Sequence, residues 1–96
     1  MHVKVKRLQE EAVVPHKGSA EAAGYDLHAV AVIDSDGDRI ETFGECLVRP
    51  HATVKFGTGL AMELEFGTFG AIFARSGLAT KMGLRPSNCV GVVDAG

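Results

Sequence analysis

Apolar and polar side chains alternate most regularly along residues 60–66. Leucine, methionine and phenylalanine take the even positions, whereas Glu63 and Glu65 lie on the opposite face. Alternation with a period of two predicts a strand with one buried face and one solvated face. Valines alternate with lysines in the same way over residues 1–9, which predicts another strand.

Shorter apolar runs, separated by turn-forming residues, predict further short strands. They fall at residues 25–33, 46–49, 52–56, 69–74 and 90–93, and we expect the last of them to be buried. Residues 78–82 fit one helical turn, ended by Gly83. No window sustains a helical period, and the 12 glycines are spread at turn spacing. The sequence therefore predicts an all-β sandwich or barrel with at most one short helical turn.

Length and charge narrow the possible functions. The 96 residues suit one domain, 1–96, and 46% of them are hydrophobic. Ten basic and twelve acidic residues give a net charge of −2, which disfavours a nucleic-acid partner recognised through bulk charge. A nucleotide needs only a few local donors and stays possible. Since no apolar run fits a membrane span or a signal peptide, we expect a cytoplasmic protein without a membrane partner.

Several potential metal ligands do not form a recognisable site in the sequence. Cys46 and Cys89 lie in apolar surroundings without metal-ligand spacing, so we expect two buried, reduced thiols. The four histidines also lack ligand spacing. Three aspartates in residues 34–38, with Glu45 further on, resemble a calcium loop, but Arg39 stands where that loop requires glycine. A solvated hairpin turn explains this stretch better.

Three glycine-marked stretches could carry chemistry. In residues 22–27, Asp26 follows Gly24 at the start of a strand, although such a turn is often only structural. In residues 74–79, the Arg75-Ser76-Gly77 sequence enters a helical turn, where guanidinium, hydroxyl and backbone N–H groups suit a phosphate. The alternative is that Ser76 only caps the helix and Arg75 is a surface charge.

The third stretch, residues 87–94, lies two residues before the end of the printed sequence. An apolar strand carries Asn88 at its start and Asp94 at its end. Asp94 could hold a water molecule or a metal ion, or could be an ordinary loop aspartate.

Together, these stretches resemble the motifs of the trimeric dUTPase (deoxyuridine 5'-triphosphate nucleotidohydrolase) family. Residues 23–27 resemble its first motif, and residues 74–79 its second, although Ala74 replaces the usual proline. Residues 88–94 resemble the opening of its third motif, and residues 58–60 match a segment between the first two. The order and spacing agree across residues 17–96.

The resemblance implies a β jelly-roll barrel that hydrolyses dUTP to dUMP and pyrophosphate with Mg²⁺, in a trimer whose three subunits share each active site. It implies that Asp94 orients the attacking water and touches the sugar, and that Asn88 and Gly91 belong to the uracil and sugar pocket. The phosphates would be held by Arg75, Ser76 and Gly77. Asp26 would act on the Mg²⁺ through water.

The family continues beyond the matching stretch with a sugar-packing tyrosine, further strands and a C-terminal arm. The resemblance thus implies an incomplete jelly roll, about the N-terminal two thirds of the fold, truncated after the start of the third motif. We expect such a chain to have little activity of its own. We also expect it to associate with other copies through its strand edges, as a trimer or by strand exchange.

Two other functions fit the same fold. One is a catalytically impaired nucleotide-binding or regulatory module. The other is a related deaminase, which needs a catalytic glutamate after the second motif, and residues 79–81 provide none.

Overall fold

A computed structural model describes residues 2–41 and 46–96, and this part of the chain is built mainly from short strands. The elements in chain order are β1 (Val3–Arg7), β2 (Ala31–Ile33), β3 (Arg39–Glu41), β4 (Lys55–Gly57), β5 (Leu60–Leu64), β6 (Gly70–Ile72), α1 (Ser76–Met82) and β7 (Gly91–Val93). The all-β prediction is confirmed, and the described strands do not close into a barrel.

The chain divides into two compact units. One comprises Val5–Ala61, and the other comprises Met1–Lys4 together with Met62–Gly96. Strands β1 and β5 pair with each other in a two-stranded sheet. The assignment of residues 1–96 to a single domain stays a prediction.

The unit Val5–Ala61 contains a three-stranded antiparallel sheet in the order β3-β2-β4. Val32 in the central strand pairs with Ile40 on one side and Phe56 on the other. The connection between β2 and β3 is the predicted turn at residues 34–38, where Gly37 takes a φ of 83° that favours glycine. The sequence thus predicts this turn correctly from its Asp and Gly residues.

The other unit contains the antiparallel pair of β6 and β7. Gly70 lies opposite Val93, and Ile72 lies opposite Gly91. The chain between these two strands forms α1, which is longer than the single predicted turn. It ends as predicted at Gly83, which has a φ of 68°.

Some predicted strands are shorter or absent. Residues 25–33 form a strand only at β2, with an isolated bridge at Asp26, and residues 46–49 form none. The alternation in β5 is confirmed, because its even positions are partly buried and its odd positions are exposed. The same pattern does not extend to Phe66, which is 93% exposed.

Two burial predictions are wrong. Residues 90–93 were expected to be buried, but Val92 is 65% exposed, and in the part of the chain that the structure describes β7 pairs with β6 alone. Cys46 and Cys89 are both exposed rather than buried, since each lies in a loop. Among the described residues only Ala12 and Ala31 are buried. None of the described residues forms a helix with the length and hydrophobicity that a membrane span needs.

Candidate active site

The second glycine-marked stretch lies where β6 leads into α1. Arg75 precedes the helix with an extended backbone, and its carbonyl accepts a hydrogen bond from the N–H of Ala79 at 2.9 Å. Ser76 and Gly77 begin the helix, and all three residues are exposed. A Cβ atom placed on Gly77 would meet nothing within 4 Å, so the backbone here is open to approach by a ligand.

The capping alternative for Ser76 is wrong. The residue at the cap position is Arg75, and no side chain caps the helix. Instead, the Ser76 carbonyl accepts a hydrogen bond from the hydroxyl of Thr80 at 2.6 Å. The Ser76 hydroxyl is therefore not used to begin the helix.

Arg75, Ser76 and Gly77 line an open depression of about 280 Å³. Lys81, in the last turn of α1, lines it too and adds a second cation. The three glycine-marked stretches do not include Lys81. The signal was available, because Gly77 and Lys81 are four residues apart and therefore neighbours on one helix face. Two cations, a hydroxyl and an open backbone suit an anionic ligand.

A larger depression, about 470 Å³, is lined by other residues of the same unit. They are His2, Lys4, Glu63, Leu64, Glu65, Phe66 and Gly96. None of the predicted site residues is among them. The lining contains both acidic and basic side chains, so this depression is less suited to a phosphate than the smaller one.

The third stretch is arranged along β7. Asn88 precedes the strand and is exposed, Gly91 begins it and is partly buried, and Asp94 follows it and is exposed. The chain just beyond Asp94 is anchored, because the N–H of Gly96 donates to the carbonyl of Leu64 at 3.1 Å. The backbone of Asp94 thus lies between the end of a paired strand and a backbone hydrogen bond.

The register of β6 and β7 decides which of these groups lie at the same end of the sheet. Because Ile72 lies opposite Gly91, the chain leaving β6 toward Arg75 emerges at the end where β7 begins, beside Asn88. Asp94 emerges at the other end, beyond strands that are about 7 Å long. Within one chain, the phosphate-type groups and Asp94 therefore leave the strand pair at opposite ends.

Asp26 belongs to the other unit. It pairs across an isolated antiparallel bridge with His16, whose carbonyl accepts the N–H of Asp26 at 2.7 Å. Its side chain is partly exposed, and its Oδ2 would lie 3.5 Å from a Cβ atom placed on Gly18. A single accessible carboxylate fits Mg²⁺, which keeps several of its water ligands and binds through one or two carboxylates.

The aspartate-rich stretch forms the hairpin turn that its sequence predicts. Asp34 Oδ1 accepts hydrogen bonds from the N–H groups of Asp36 and Asp38, each at 2.9 Å. The three carboxylates could gather around a cation, but Asp34 is already used by the backbone of its own turn. Glu45, the more distant member of the supposed calcium loop, lies outside the described residues.

Comparison with known proteins decides the family. The chain is 37% identical over 95 residues to a deoxyuridine 5'-triphosphate nucleotidohydrolase of Nautilia profundicola, a match that covers 99% of the chain. It is 40% identical over 91 residues to a probable nucleotidohydrolase of the same kind from Schizosaccharomyces pombe, covering 95% of the chain. The chain belongs to the dUTPase family. The family recognised in the sequence is thereby confirmed.

The match covers almost the whole chain but only part of each relative. The chain spans little more than half the length of these relatives, 58% of the first and 54% of the second. A dUTPase of Desulfitobacterium hafniense gives the same result, with 40% identity, 97% of the chain and 58% of the relative covered. No protein-family model matches the chain. No solved structure matches it either.

Proposed function

We propose that the chain carries phosphate-binding and water-activating groups of a dUTP diphosphatase, which hydrolyses dUTP to dUMP and pyrophosphate in nucleotide metabolism. The observation that carries the proposal is the 37% identity to a nucleotidohydrolase over 99% of the chain, a match that spans all three glycine-marked stretches. Independent support comes from the smaller depression, which is lined by two cations and by Ser76, whose exposed hydroxyl does not cap the helix.

The phosphates would bind at the start of α1. The Arg75 guanidinium offers a planar set of donors, the Ser76 hydroxyl adds another, and the open backbone at Gly77 lets N–H groups approach. Lys81 adds a point charge from the same depression. Phosphoryl transfer depends chiefly on positioning and on stabilising developing charge, which such groups provide.

The base, sugar and attacking water would be handled along β7. Asp94 would orient and activate the water that attacks the α-phosphorus, and it would contact the sugar. Its exposure and its position between two fixed points support this role. Asn88 and Gly91 would contribute to the uracil and sugar pocket from the start of the same strand.

Asp26 would hold Mg²⁺ through water. When bound, Mg²⁺ would neutralise charge on the phosphate oxygens. The partly exposed carboxylate, held by the bridge to His16, supports this assignment.

We further propose that the active assembly is a homo-oligomer, a trimer as in the family, in which different copies supply Arg75 and Asp94 to one site. The separation of these residues at opposite ends of the β6–β7 pair supports this arrangement. Exposed apolar side chains on the same strands, Val92 at 65% and Ile72 at 38%, offer surface for contacts between copies. The two exposed, free cysteines suit a reducing cytoplasm, where we propose the protein acts.

Hydrolysis of dUTP tests the proposal. The chain alone is incubated with dUTP and Mg²⁺, beside the chain joined to the part of the N. profundicola relative that the match does not cover. We expect release of dUMP and pyrophosphate by the joined protein, little release by the chain alone, and loss of release in both when Asp94 is changed to Asn. A joined, folded protein that binds dUTP without hydrolysing it would favour the nucleotide-binding module instead.

Sedimentation of the same two proteins tests the assembly. We expect the joined protein to sediment as a trimer. A stable monomer that hydrolyses dUTP would contradict the sharing of Arg75 and Asp94 between copies.

A further inference from the structure

Two histidines that are twelve residues apart in sequence meet on one face of the bridge at Asp26. His16 lies directly opposite Asp26, and His28 is two residues further along the chain. Their Nε2 atoms are 3.3 Å apart, so both imidazoles lie on one side of the bridge. The ammonium group of Lys17 lies 5.6 Å from the centre of the Tyr25 ring, a second contact between the two segments.

The distances between the two imidazoles describe converging nitrogens. The two Nε2 atoms are 3.3 Å apart, the ring centres are 5.2 Å apart, and the rings are tilted by 52°. A linear N–H···N hydrogen bond of this length would put the ring centres about 5.7 Å apart, since each centre lies about 1.2 Å behind its nitrogen. The shorter separation means that the two rings are bent away from a linear arrangement, a geometry that also lets both nitrogens face a common position beside the line that joins them.

A tetrahedral metal ion occupies such a position. With metal–nitrogen bonds of about 2.0–2.1 Å, it would hold the two nitrogens about 3.3–3.4 Å apart and the ring centres about 5.2–5.4 Å apart. Both distances in this structure match those values. An octahedral ion with a right angle between the same bonds would bring the nitrogens to about 2.8–3.0 Å, which fits less well.

We propose that His16 and His28 form a binding site for a divalent transition-metal ion that accepts tetrahedral geometry, with Zn²⁺ as the leading candidate. Both rings are exposed, so water fills the remaining coordination positions. Among the described residues, the only three-ligand cluster is the one formed by the aspartates of the β2–β3 turn, so no third side chain completes this site. If one ring donates through Nε2 in the metal-free pair, that hydrogen is carried on Nδ1 once the ion binds, and no proton is lost.

This site goes beyond the proposed function and differs from it chemically. Mg²⁺ prefers oxygen ligands and water, and the proposed role of Asp26 uses only a carboxylate. Imidazole suits Zn²⁺, Co²⁺, Ni²⁺ and Cu²⁺. The bound ion would link the loop at His16 to the segment at His28, and it would stabilise the folded chain by mass action.

The test is a Zn²⁺ titration of the ¹⁵N-labelled chain, followed by NMR of the histidine ring nitrogens. We expect the Nε2 signals of His16 and His28 to shift together with one midpoint, at one ion per chain. His2 and His51 should not respond, and Mg²⁺ at the same concentrations should move none of the four rings. A shift confined to one ring of the pair, or to His2 or His51, would overturn the proposal. So would Zn²⁺ bound only at Cys46 and Cys89.

Variants make the test quantitative. His16→Asn and His28→Asn should each lower the apparent Zn²⁺ affinity at least tenfold and abolish the rise in unfolding temperature that Zn²⁺ produces. His51→Asn is the matched control, because His51 is also exposed and asparagine tolerates its φ of 63°. Unchanged affinity in either of the first two variants would contradict the site, and the wild-type titration decides the matter if a variant does not fold. Loss of dUTP hydrolysis alone bears on the proposed function and not on this site.

Discussion

The β2–β3 turn and the segment that follows β6 are both rich in charge, but their polar groups have different partners. In the turn, the Asp34 carboxylate accepts two backbone N–H groups, so it holds the chain in its own conformation. In the other segment, Arg75 and Lys81 line an open depression, and the Ser76 hydroxyl does not cap the helix. A cluster of charge in the sequence therefore indicates a site only where the backbone does not already use it.

The largest expected effect separates a carboxylate proposed for chemistry from one used by the fold. In the joined protein described above, Asp94→Asn keeps the side-chain shape and removes the base, so we expect kcat for dUTP to fall about a hundredfold or more. Stability should hardly change, because Asp94 is exposed. Asp36→Asn is the control and should leave kcat unchanged. Equal activity in the two variants would remove Asp94 from the water-activating role.

The next effect concerns the groups around the smaller depression. Arg75→Ala and Ser76→Ala should each weaken binding of dUTP and of pyrophosphate by about 1–3 kcal/mol, the range for hydrogen bonds to charged groups. Lys81→Ala should weaken both ligands in parallel, because it removes a charge from the same depression. Calorimetric titration measures these changes. Arg49→Ala removes an exposed cation elsewhere, and a comparable loss there would indicate only an effect of overall charge.

The reverse result is expected in the β2–β3 turn. Asp34→Ala leaves two backbone N–H groups without their acceptor, so the free energy of unfolding should fall by about 1–2 kcal/mol. Dissociation constants for dUTP should stay the same. Urea denaturation measures the change, with Asp36→Ala as a control expected to fall within about 0.5 kcal/mol of the parent. If the control loses as much as Asp34→Ala, the Asp34 hydrogen bonds do not hold the turn.

We expect the smallest effect at Lys4, whose charge has no proposed role in the fold or in ligand binding. Lys4 Nζ and Glu63 Oε1 are 4.0 Å apart, and their side chains are 81% and 63% exposed. Solvent screens such a pair, so Lys4→Ala should change the free energy of unfolding by less than about 0.5 kcal/mol. Urea denaturation at low and high salt measures it, and a larger loss that disappears in high salt would show that this pair matters after all.

The sequence predicts the features of this fold that depend on local chemistry. The alternation in β5, the Asp-rich turn and the end of α1 at Gly83 each follow from a few neighbouring residues. The burial expected for residues 90–93 was wrong, because burial depends on what packs against a strand and not on its own apolar side chains.

For the candidate site, too, the sequence predicts which residues matter but not where the fold places them. Motif order identified Arg75, Ser76 and Asp94 as candidates, but it carried no information on which end of a strand pair each would occupy. The meeting of His16 and His28 depends on a single bridge between two loop segments, which no sequence pattern specifies.

The register of β6 against β7 has a consequence for mixtures of defective chains. If one copy supplies Arg75 and a neighbour supplies Asp94, then Arg75→Ala and Asp94→Asn damage different halves of a shared centre. Two preparations that are each inactive should regain activity when they are unfolded together and reassembled. In a random equal mixture, roughly one centre in four would receive an intact residue from each parent. Genetic complementation between two damaged copies would thus follow from the register of two three-residue strands, which separates Arg75 from Asp94 within one chain.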